Sequence, residues 1–399
     1  MSLFVGSIYP KSLFDKLVER KLFVDYPANV FQQTLLKGLD LQYPDIRVIT
    51  SPVIKSKYSL VNDICGECIF THNGSSPFKD ICVGVVPIPG LQMLIELVRV
   101  FKALKSEINK SNRKEVLFIY ALHSPFLLSA VLLKRKTTCT CVIVPDLPEY
   151  MASNKGILRK IGKRIDHTII DFCLKRLDCF VLLSEYMRDR LPIKNKPWVL
   201  VEGLYDTTNI LEFSEKNPER VIFYGGSLSK SYGILELLEA FKRIKNNNYR
   251  LWICGDGDGK ADVIKRANED KRIVYFGVIS HDEVLSLLQK ATVLINPRSS
   301  SGEYTKYSFP SKTMEYMASG TPTLMCHLPA IPKDYDDYLF YIADESVDGI
   351  KKRIVEVCEM PQHILKEFGH KASVFIKEEK NVFAQTERIA DMIANIGTC

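Results

Sequence analysis

Apolar runs of strand length alternate with amphipathic stretches along nearly the whole chain. SLFVGSIY (2–9) reads as a strand, followed by a loop up to residue 27 and a helix over 28–39. IRVITS is a second strand, and GECIFTHN and DICVGVVPI are two further apolar runs of strand length. A helix at 91–106 follows, then the strand EVLFIYAL, a short helix from residue 126 and the strand CTCVIVPD. A basic helical region (155–177), the strand DCFVLLS, the helix SEYMRDRL and the strand WVLVEG complete this half. Strands alternating with helices predict a parallel sheet covered on both faces.

The alternation then starts afresh. ERVIFYGGS is a strand, and YGILELLEAFKRIK is a helix with apolar residues at i, i+3, i+4 and i+7. YRLWICGDGDG is a strand with a glycine turn, ADVIKRANED a helix, RIVYFGVI a strand, HDEVLSLLQKA a helix and TVLINPR a strand. The stretch 295–324, INPRSSSGEYTKYSFPSKTMEYMASGTPTL, reads as strand, long polar loop, short helix and strand. Pro310 suits the first turn of that helix, and Gly320 with Pro322 marks its stop. Ser308, Lys312, Glu315 and Ser319 fall on one side, Met314, Met317 and Ala318 on the other. A helix start behind a polar loop is a ready anion site, because its first amides have no intrahelical partner. An ordinary amphipathic helix on a sheet gives the same pattern. LFYIAD, the helix SVDGIKKRIVEVCEM and a last helix over 381–396 end the chain.

The expected fold is therefore α/β, with two doubly wound units. The domains predicted are 1–203 and 204–380, with a C-terminal helix (381–399) packing back on the first. Ligands of such sheets bind beyond the carboxyl ends of the strands, and two facing sheets leave a cleft.

Charge sharpens this picture. Residues 1–200 hold 29 Lys and Arg against 18 Asp and Glu, a net +11, whereas the rest of the chain is net −4. A basic amino-terminal half implies an anionic partner. Nucleic acid is not expected, because the basic residues are not interleaved with stacking aromatics. An anionic lipid surface is the other candidate, since LQMLIELVRVFKALKSEINK (91–110) is an apolar stripe edged by Arg99, Lys102, Lys105 and Lys110. A core helix with a solvated basic edge would look the same. No apolar run is long enough to span a membrane, and the start lacks the features of a secretory signal. The expected location is the cytoplasm, at the inner face of the membrane.

The eleven cysteines sit mostly inside apolar runs, as buried reduced thiols would. A zinc site from Cys65, Cys68, Cys139 and Cys141 is the alternative. Asp256-Gly257-Asp258 and Asp334-Tyr335-Asp336 spell a metal-diphosphate signature, but chance spacing in loops is the better reading. The glycines 255, 257 and 259 have the wrong spacing for a dinucleotide turn. No metal and no cofactor are expected.

FYGGSLSKSYGILELLEAF, CGDGDG, YFG with VIS, LINPR and SFPSKTMEYMASGTPTL occur in an order and spacing that resembles the retaining glycosyltransferases of family 4. That resemblance covers about 221–325 and implies the GT-B fold, two Rossmann-like domains facing across a cleft. ANVFQQTLLKGL, VPDLPEYM and VLLSEYM resemble the family's acceptor domain more loosely. Within the family the chain is most similar to bacterial transferases of capsular and lipopolysaccharide sugar chains. The resemblance implies transfer of a sugar, with retention, from a nucleoside diphosphate (UDP) sugar to a saccharide acceptor, lipid-linked in such pathways. Glu315 matches the acid that holds the donor ribose, and Ser308, Phe309 and Pro310 match the loop facing donor sugar and phosphates. Gly277 and Val278 match the strand end that reads the base, while Gly226, Ser227 and Gly255 fall at the donor ends of their strands.

Two departures stand out. The family's second loop glutamate is replaced by Tyr307, leaving Glu303 as the only loop acid. Its Gly-Arg and Lys-Gly pairs read Gly225-Gly226 and Tyr232-Gly233. The diphosphate must then be met by Lys230, Arg298 or Lys312, although Arg298 could instead anchor its loop through a salt bridge. In the first half, Asp146 and His123 end strands and are candidates to position or deprotonate the acceptor hydroxyl. A turn cap and a satisfied imidazole are their structural alternatives. Asn29 is either a helix N-cap or an acceptor contact. A nucleotide-sugar epimerase of this architecture and a non-catalytic partner subunit are the rival classes.

Overall fold

The apolar runs of the first half become eight strands: β1 (Ser2–Gly6), β2 (Ile46–Thr50), β3 (Cys68–Phe70), β4 (Asp80–Cys82), β5 (Glu115–Tyr120), β6 (Thr138–Val144), β7 (Cys179–Leu182) and β8 (Trp198–Leu200). They form one sheet in the order β3-β4-β2-β1-β5-β6-β7-β8. The second half supplies β9 (Arg220–Ser227), β10 (Tyr249–Asp256), β11 (Ile273–Tyr275), β12 (Val293–Asn296), β13 (Thr323–Cys326) and β14 (Phe340–Ile342). These form a second sheet, β11-β10-β9-β12-β13-β14, in which every pairing is parallel. This is a computed structural model, and the residues it describes are 2–55, 66–74, 78–88, 90–110, 115–135, 138–147, 157–193, 195–208 and 215–397.

Each sheet is the centre of its own unit, Met1–Leu204 with Val382–Cys399 in one and Tyr205–Asn381 in the other. Every residue of β1, β5, β6 and β7 is buried, as parallel strands covered on both faces require. One strand departs from the expected pattern. β3 runs antiparallel to β4, a three-residue strand at the sheet edge. Short edges of this kind offer little unpaired backbone to other chains.

Three helix readings are corrected. The loop expected after β1 contains the helix Lys11–Glu19, which buries Leu13 and Leu17, one turn apart, against Tyr9, Ile54 and Val85. The next helix runs over Tyr26–Gln42, starting before residue 28 because Asp25 accepts the Ala28 amide and Pro27 sits in the first turn. A long helix, Gln362–Glu379, occupies a stretch where none was read. It buries Leu365, Ala372, Phe375 and Ile376 in the core of the second unit. Gly369 lets it approach closely, since a Cβ there would lie 2.0 Å from the Gly320 carbonyl oxygen. Ser373 Oγ donates to the Ala318 carbonyl at 2.8 Å, so this helix backs the short helix Lys312–Ala318. The final helix, Val382–Asn395, packs on Tyr26–Gln42, where Gly38 leaves room for Thr386. Among the described residues no helix is long and apolar enough to cross a membrane.

Candidate functional site

In the second sheet β9 is followed in the chain by β10 and β11 on one side, and later by β12, β13 and β14 on the other. The order therefore reverses between β9 and β12, and doubly wound sheets bind ligands beyond the carboxyl ends at that point. There β9 ends in Gly225-Gly226-Ser227, and β12 runs out into Pro297-Arg298.

Arg298 is 7% exposed. Its guanidinium lies over the Tyr304 ring at 4.8 Å and over the Tyr232 ring at 5.0 Å. Its Nε has no hydrogen-bond partner, and no carboxylate among the described residues pairs with it. The salt-bridge reading of Arg298 is thus replaced by a clamp of two tyrosines. A buried cation without an anion is costly, and the two aromatic faces offset that cost. Tyr232 is positioned by Gly233, whose φ is +79° and whose Cβ, if present, would lie 2.1 Å from the Pro297 carbonyl oxygen.

Lys312 crosses the end of β9. A Cβ on Gly226 (φ +154°) would lie 3.1 to 3.2 Å from Lys312 Cε, Cδ and Nζ, so glycine makes room for the lysine stem. The Lys312 side chain is exposed and has no ion pair among the described residues. Lys230 differs, because its ammonium pairs with Asp262 at 2.9 Å and its amide donates to Asp258 Oδ1 at 2.8 Å. The Asp256-Gly257-Asp258 turn is thereby occupied in holding the Lys230 loop, and Asp256 accepts from Gly257 and Lys260. In the other acidic triplet Asp334 accepts from Lys380 and Asp336 from Tyr341. Among the described residues no group of three or more His, Cys, Asp or Glu is placed to hold a metal. Cys65 lies outside the described residues, and Cys139 and Cys141 are fully buried in β6.

The helix Lys312–Ala318 is seven residues long and starts after Pro310, not around it. The Pro310 carbonyl accepts the Thr313 amide at 2.8 Å, so one of the amides expected to face an anion is already taken. Glu315 lies in the first turn, its carboxylate 3.4 Å from His281 Nδ1. Phe309 is buried against Tyr335, with ring centroids 5.5 Å apart, while Ser308 and Pro310 are half-buried beside it. Tyr316, on the opposite flank, is a residue the sequence reading missed. Its hydroxyl accepts the Gly225 amide at 2.8 Å and donates to the Gly225 carbonyl at 3.0 Å, joining this helix to the end of β9. A buried tyrosine hydroxyl needs such a partner, but nothing local in the chain names Gly225.

Bare backbone runs across the neighbouring strand ends. Gly255 (φ +127°) donates to the Gly277 carbonyl at 2.8 Å, and a Cβ on it would lie 1.8 Å from the Gly226 oxygen. Ser227 is exposed at the end of β9, and Val278, beyond β11, is 74% exposed. The polar loop 297–311 is held by Glu345, which accepts from Ser299 Oγ at 2.7 Å and the Ser300 amide at 3.1 Å. Burial pulls the Glu345 carboxyl upward, but these hydrogen bonds outweigh it and leave the group more acidic than usual. Tyr307, at the position of the expected acid, is buried.

In the first unit Asp146 follows β6, its side chain only partly open to solvent and without a hydrogen-bond partner among the described residues. The surrounding protein, and then the charge of Asp25, push its carboxyl up to about 6. Tyr120 at the end of β5 feels the same two carboxylates, and burial above all pushes its hydroxyl far up. Asp25 was missed, although Asp-x-Pro ahead of an apolar periodic stretch signals a cap. His123 immediately precedes the helix Ser124–Leu133 and pairs with Glu96 at 2.9 Å. Asn29 is not the cap of its helix. It is 4% exposed, accepts the Tyr9 amide at 3.0 Å, and lines a cavity of about 660 Å³ with Lys37, Phe70 and His72.

Residues 219–360 match the family model described as glycosyl transferases group 1. No curated protein matches the chain in sequence. Among solved structures it is similar to sucrose-phosphate synthase from Thermosynechococcus elongatus, with TM-score 0.68 and 14% identity over 100% of this chain and 99% of that one. It is also similar to HepE from Anabaena in complex with UDP (TM-score 0.64, 11% identity, 99% of each chain). A glycosyltransferase from Rickettsia africae has TM-score 0.62 and 12% identity, over 99% of this chain and 98% of that one. At such identities the likeness shows the fold, which is GT-B. With the group 1 domain it supports a glycosyltransferase.

Proposed function

From a glycosyltransferase group 1 domain on the GT-B fold, we propose a retaining glycosyltransferase that moves a sugar from a UDP-sugar to a lipid-linked saccharide in bacterial surface polysaccharide synthesis, at the inner face of the membrane. The observation that carries this reading is Arg298, a buried guanidinium without a carboxylate partner at the switch point of the second sheet. A diphosphate supplies the missing anion, and one of the similar structures holds UDP.

In this reading the bond between the anomeric carbon and the phosphate oxygen breaks, the acceptor oxygen bonds to that carbon on the same face, and Arg298 and Lys312 meet the charge that develops on the departing diphosphate. Glu315 accepts hydrogen bonds from the ribose hydroxyls. The glycines 226, 255 and 277 let the nucleotide approach the backbone, and Val278 offers an apolar contact to the base. Asp146, ionised above its raised pKa, takes up the acceptor hydroxyl's proton or orients that hydroxyl. The cavity beside Asn29 receives the acceptor saccharide.

A thermal-shift screen of nucleotides and nucleotide sugars tests the donor, because a ligand of the native state raises apparent stability. UDP should raise the melting temperature of wild type, and Glu315→Ala should remove most of that rise. A wild-type shift in Glu315→Ala sinks the assignment of Glu315. The buried Tyr307 favours one other reading, a non-catalytic subunit. Tight UDP binding with no turnover of any UDP-sugar on membrane extract would select it.

A further inference from the structure

The helices Gln92–Asn109, Ser124–Leu133 and Ile157–Leu174 pack side by side in the first unit. The first buries Val100, Leu104 and Ile108. Leu91, just before it, with Leu94 and Val98 on it, forms a second apolar row at helical spacing on another side of the helix, Leu94 59% and Val98 45% exposed. The third repeats the arrangement. It buries Ile170, Cys173 and Leu174 and exposes Ile161 (52%), Ile165 (58%) and Phe172. A surface helix needs one apolar face for its core, so a second face on each of two helices in one layer marks an interaction surface.

The charges select the partner. On Gln92–Asn109 both acids are turned away from the exposed row, Glu96 pairing with His123 and Glu107 with Arg47 and Lys110. Lys102 and Lys105 continue the row itself, exposed to solvent. On Ile157–Leu174, Arg164 stands exposed three positions from Ile161, and Arg176, just past the helix, lies over the exposed Phe172 ring at 3.6 Å. Beside the first row lies a groove of about 680 Å³, walled by Leu94, Val98, Ile81 and Val83, with Lys102 on it and Arg99 pairing there with Glu67 at 4.0 Å.

We propose that this helix layer docks on an anionic lipid bilayer, the exposed Leu, Val and Ile side chains entering the interface and the lysines and arginines meeting the headgroups. Apolar insertion and attraction to anionic lipid reinforce each other in such helices. The proposal stands on this surface alone and not on the transfer reaction, so either can fail without the other.

Flotation of the full chain with mixed phosphatidylglycerol and phosphatidylcholine vesicles tests it, against pure phosphatidylcholine vesicles. Binding is expected only with the anionic lipid and should weaken with salt. Each lysine near the surface contributes about fivefold to partitioning, so the double variant Lys102→Glu, Lys105→Glu should bind at least about twentyfold more weakly. The pairs Leu94→Asp with Val98→Asp, and Ile161→Asp with Ile165→Asp, should each abolish flotation at an unchanged melting temperature, since all four side chains are exposed. The proposal is overturned if wild type does not float, or if either aspartate pair floats like wild type. It is also overturned if wild type is a concentration-dependent dimer that these pairs dissociate, because the face then covers a second copy.

Discussion

Replacing Arg298 by Met should separate folding from ligand binding. Methionine keeps most of the apolar stem and removes the charge. The guanidinium gives up its contacts with Tyr232 and Tyr304, about 1–2 kcal/mol each when desolvated. Against this, the variant no longer buries a cation without an anion, whose desolvation costs several kcal/mol, on the order of the two contacts together. The net change in unfolding free energy of the ligand-free protein should therefore stay within about 1 kcal/mol of zero, of either sign. Binding behaves differently. A charge-assisted hydrogen bond to a phosphate contributes about 1.5–3 kcal/mol, so UDP affinity should fall by about 10- to 150-fold. Uridine, which has no phosphate, should bind as before. Urea unfolding of the ligand-free variant and calorimetric titration with UDP and uridine give the three numbers. A loss of more than about 3 kcal/mol in stability, together with an unchanged ratio of UDP to uridine affinity, would refute the reasoning. It would mean that the tyrosine clamp is core packing and that the guanidinium meets no phosphate.

Tyr316→Phe removes both bonds to Gly225 and leaves a buried amide and carbonyl unsatisfied. A cost of about 2–4 kcal/mol in stability is expected by urea unfolding, and a cost under about 0.5 kcal/mol would show that the bonds are dispensable. His72 gives a pH dependence of stability. Burial opposes its charge, but Asp40 at 3.0 Å and Asp80 at 2.8 Å outweigh burial and raise it from 6.5 to about 9. The folded state holds the proton more tightly, so the stabilisation is complete below about pH 6.5 and is lost as pH rises through about 9, up to roughly 3 kcal/mol. Urea midpoints at pH 6 and pH 10 should show that loss in wild type and a smaller one in His72→Gln, and equal slopes would remove the assignment. For Asp146, kcat/KM should fall as pH drops through about 6, and a profile flat there, or one unchanged in Asp146→Asn, would exclude it as the base.

Much of the fold was legible because a parallel sheet buries whole strands. SLFVG, EVLFIY and TCTCVIV are apolar runs for that reason, and the helices between them carry their own period. The two unread helices fail for different reasons. Lys11–Glu19 does carry Leu13 and Leu17 one turn apart, but the pattern is short and lies among charges. Gln362–Glu379 is interrupted by Gly369 and Ser373, small polar positions that look like loop and are in fact where Gly320 and Ala318 come close. Of the candidate residues, Lys312 and Glu315 lie on a short helix that the local pattern shows. The partners of Arg298 could not be read locally, because Tyr232 lies 66 positions away and a cation against an aromatic face leaves no periodic trace. The Tyr316 bond to Gly225 spans 91 positions and is invisible for the same reason.

The replacement at Tyr307 acquires a physical meaning once the charges of the second unit are set side by side. Among the described residues Arg298 and Lys312 pair with no carboxylate, and the ion partner of Glu315 is His281. Glu345 approaches the loop 297–311 but gives its oxygens to Ser299 and Ser300, so it holds the loop's shape. A glutamate at 307 would place a further negative charge in this loop. Tyrosine there instead buries its ring, alongside Phe309, and Tyr304 covers the guanidinium. The loop is thus anchored by aromatic packing around a guanidinium that pairs with no carboxylate among the described residues. A buried cation of this kind favours a diphosphate over a neutral sugar as the group that determines affinity. In the proposed reaction the nucleotide half of the donor then supplies most of the binding.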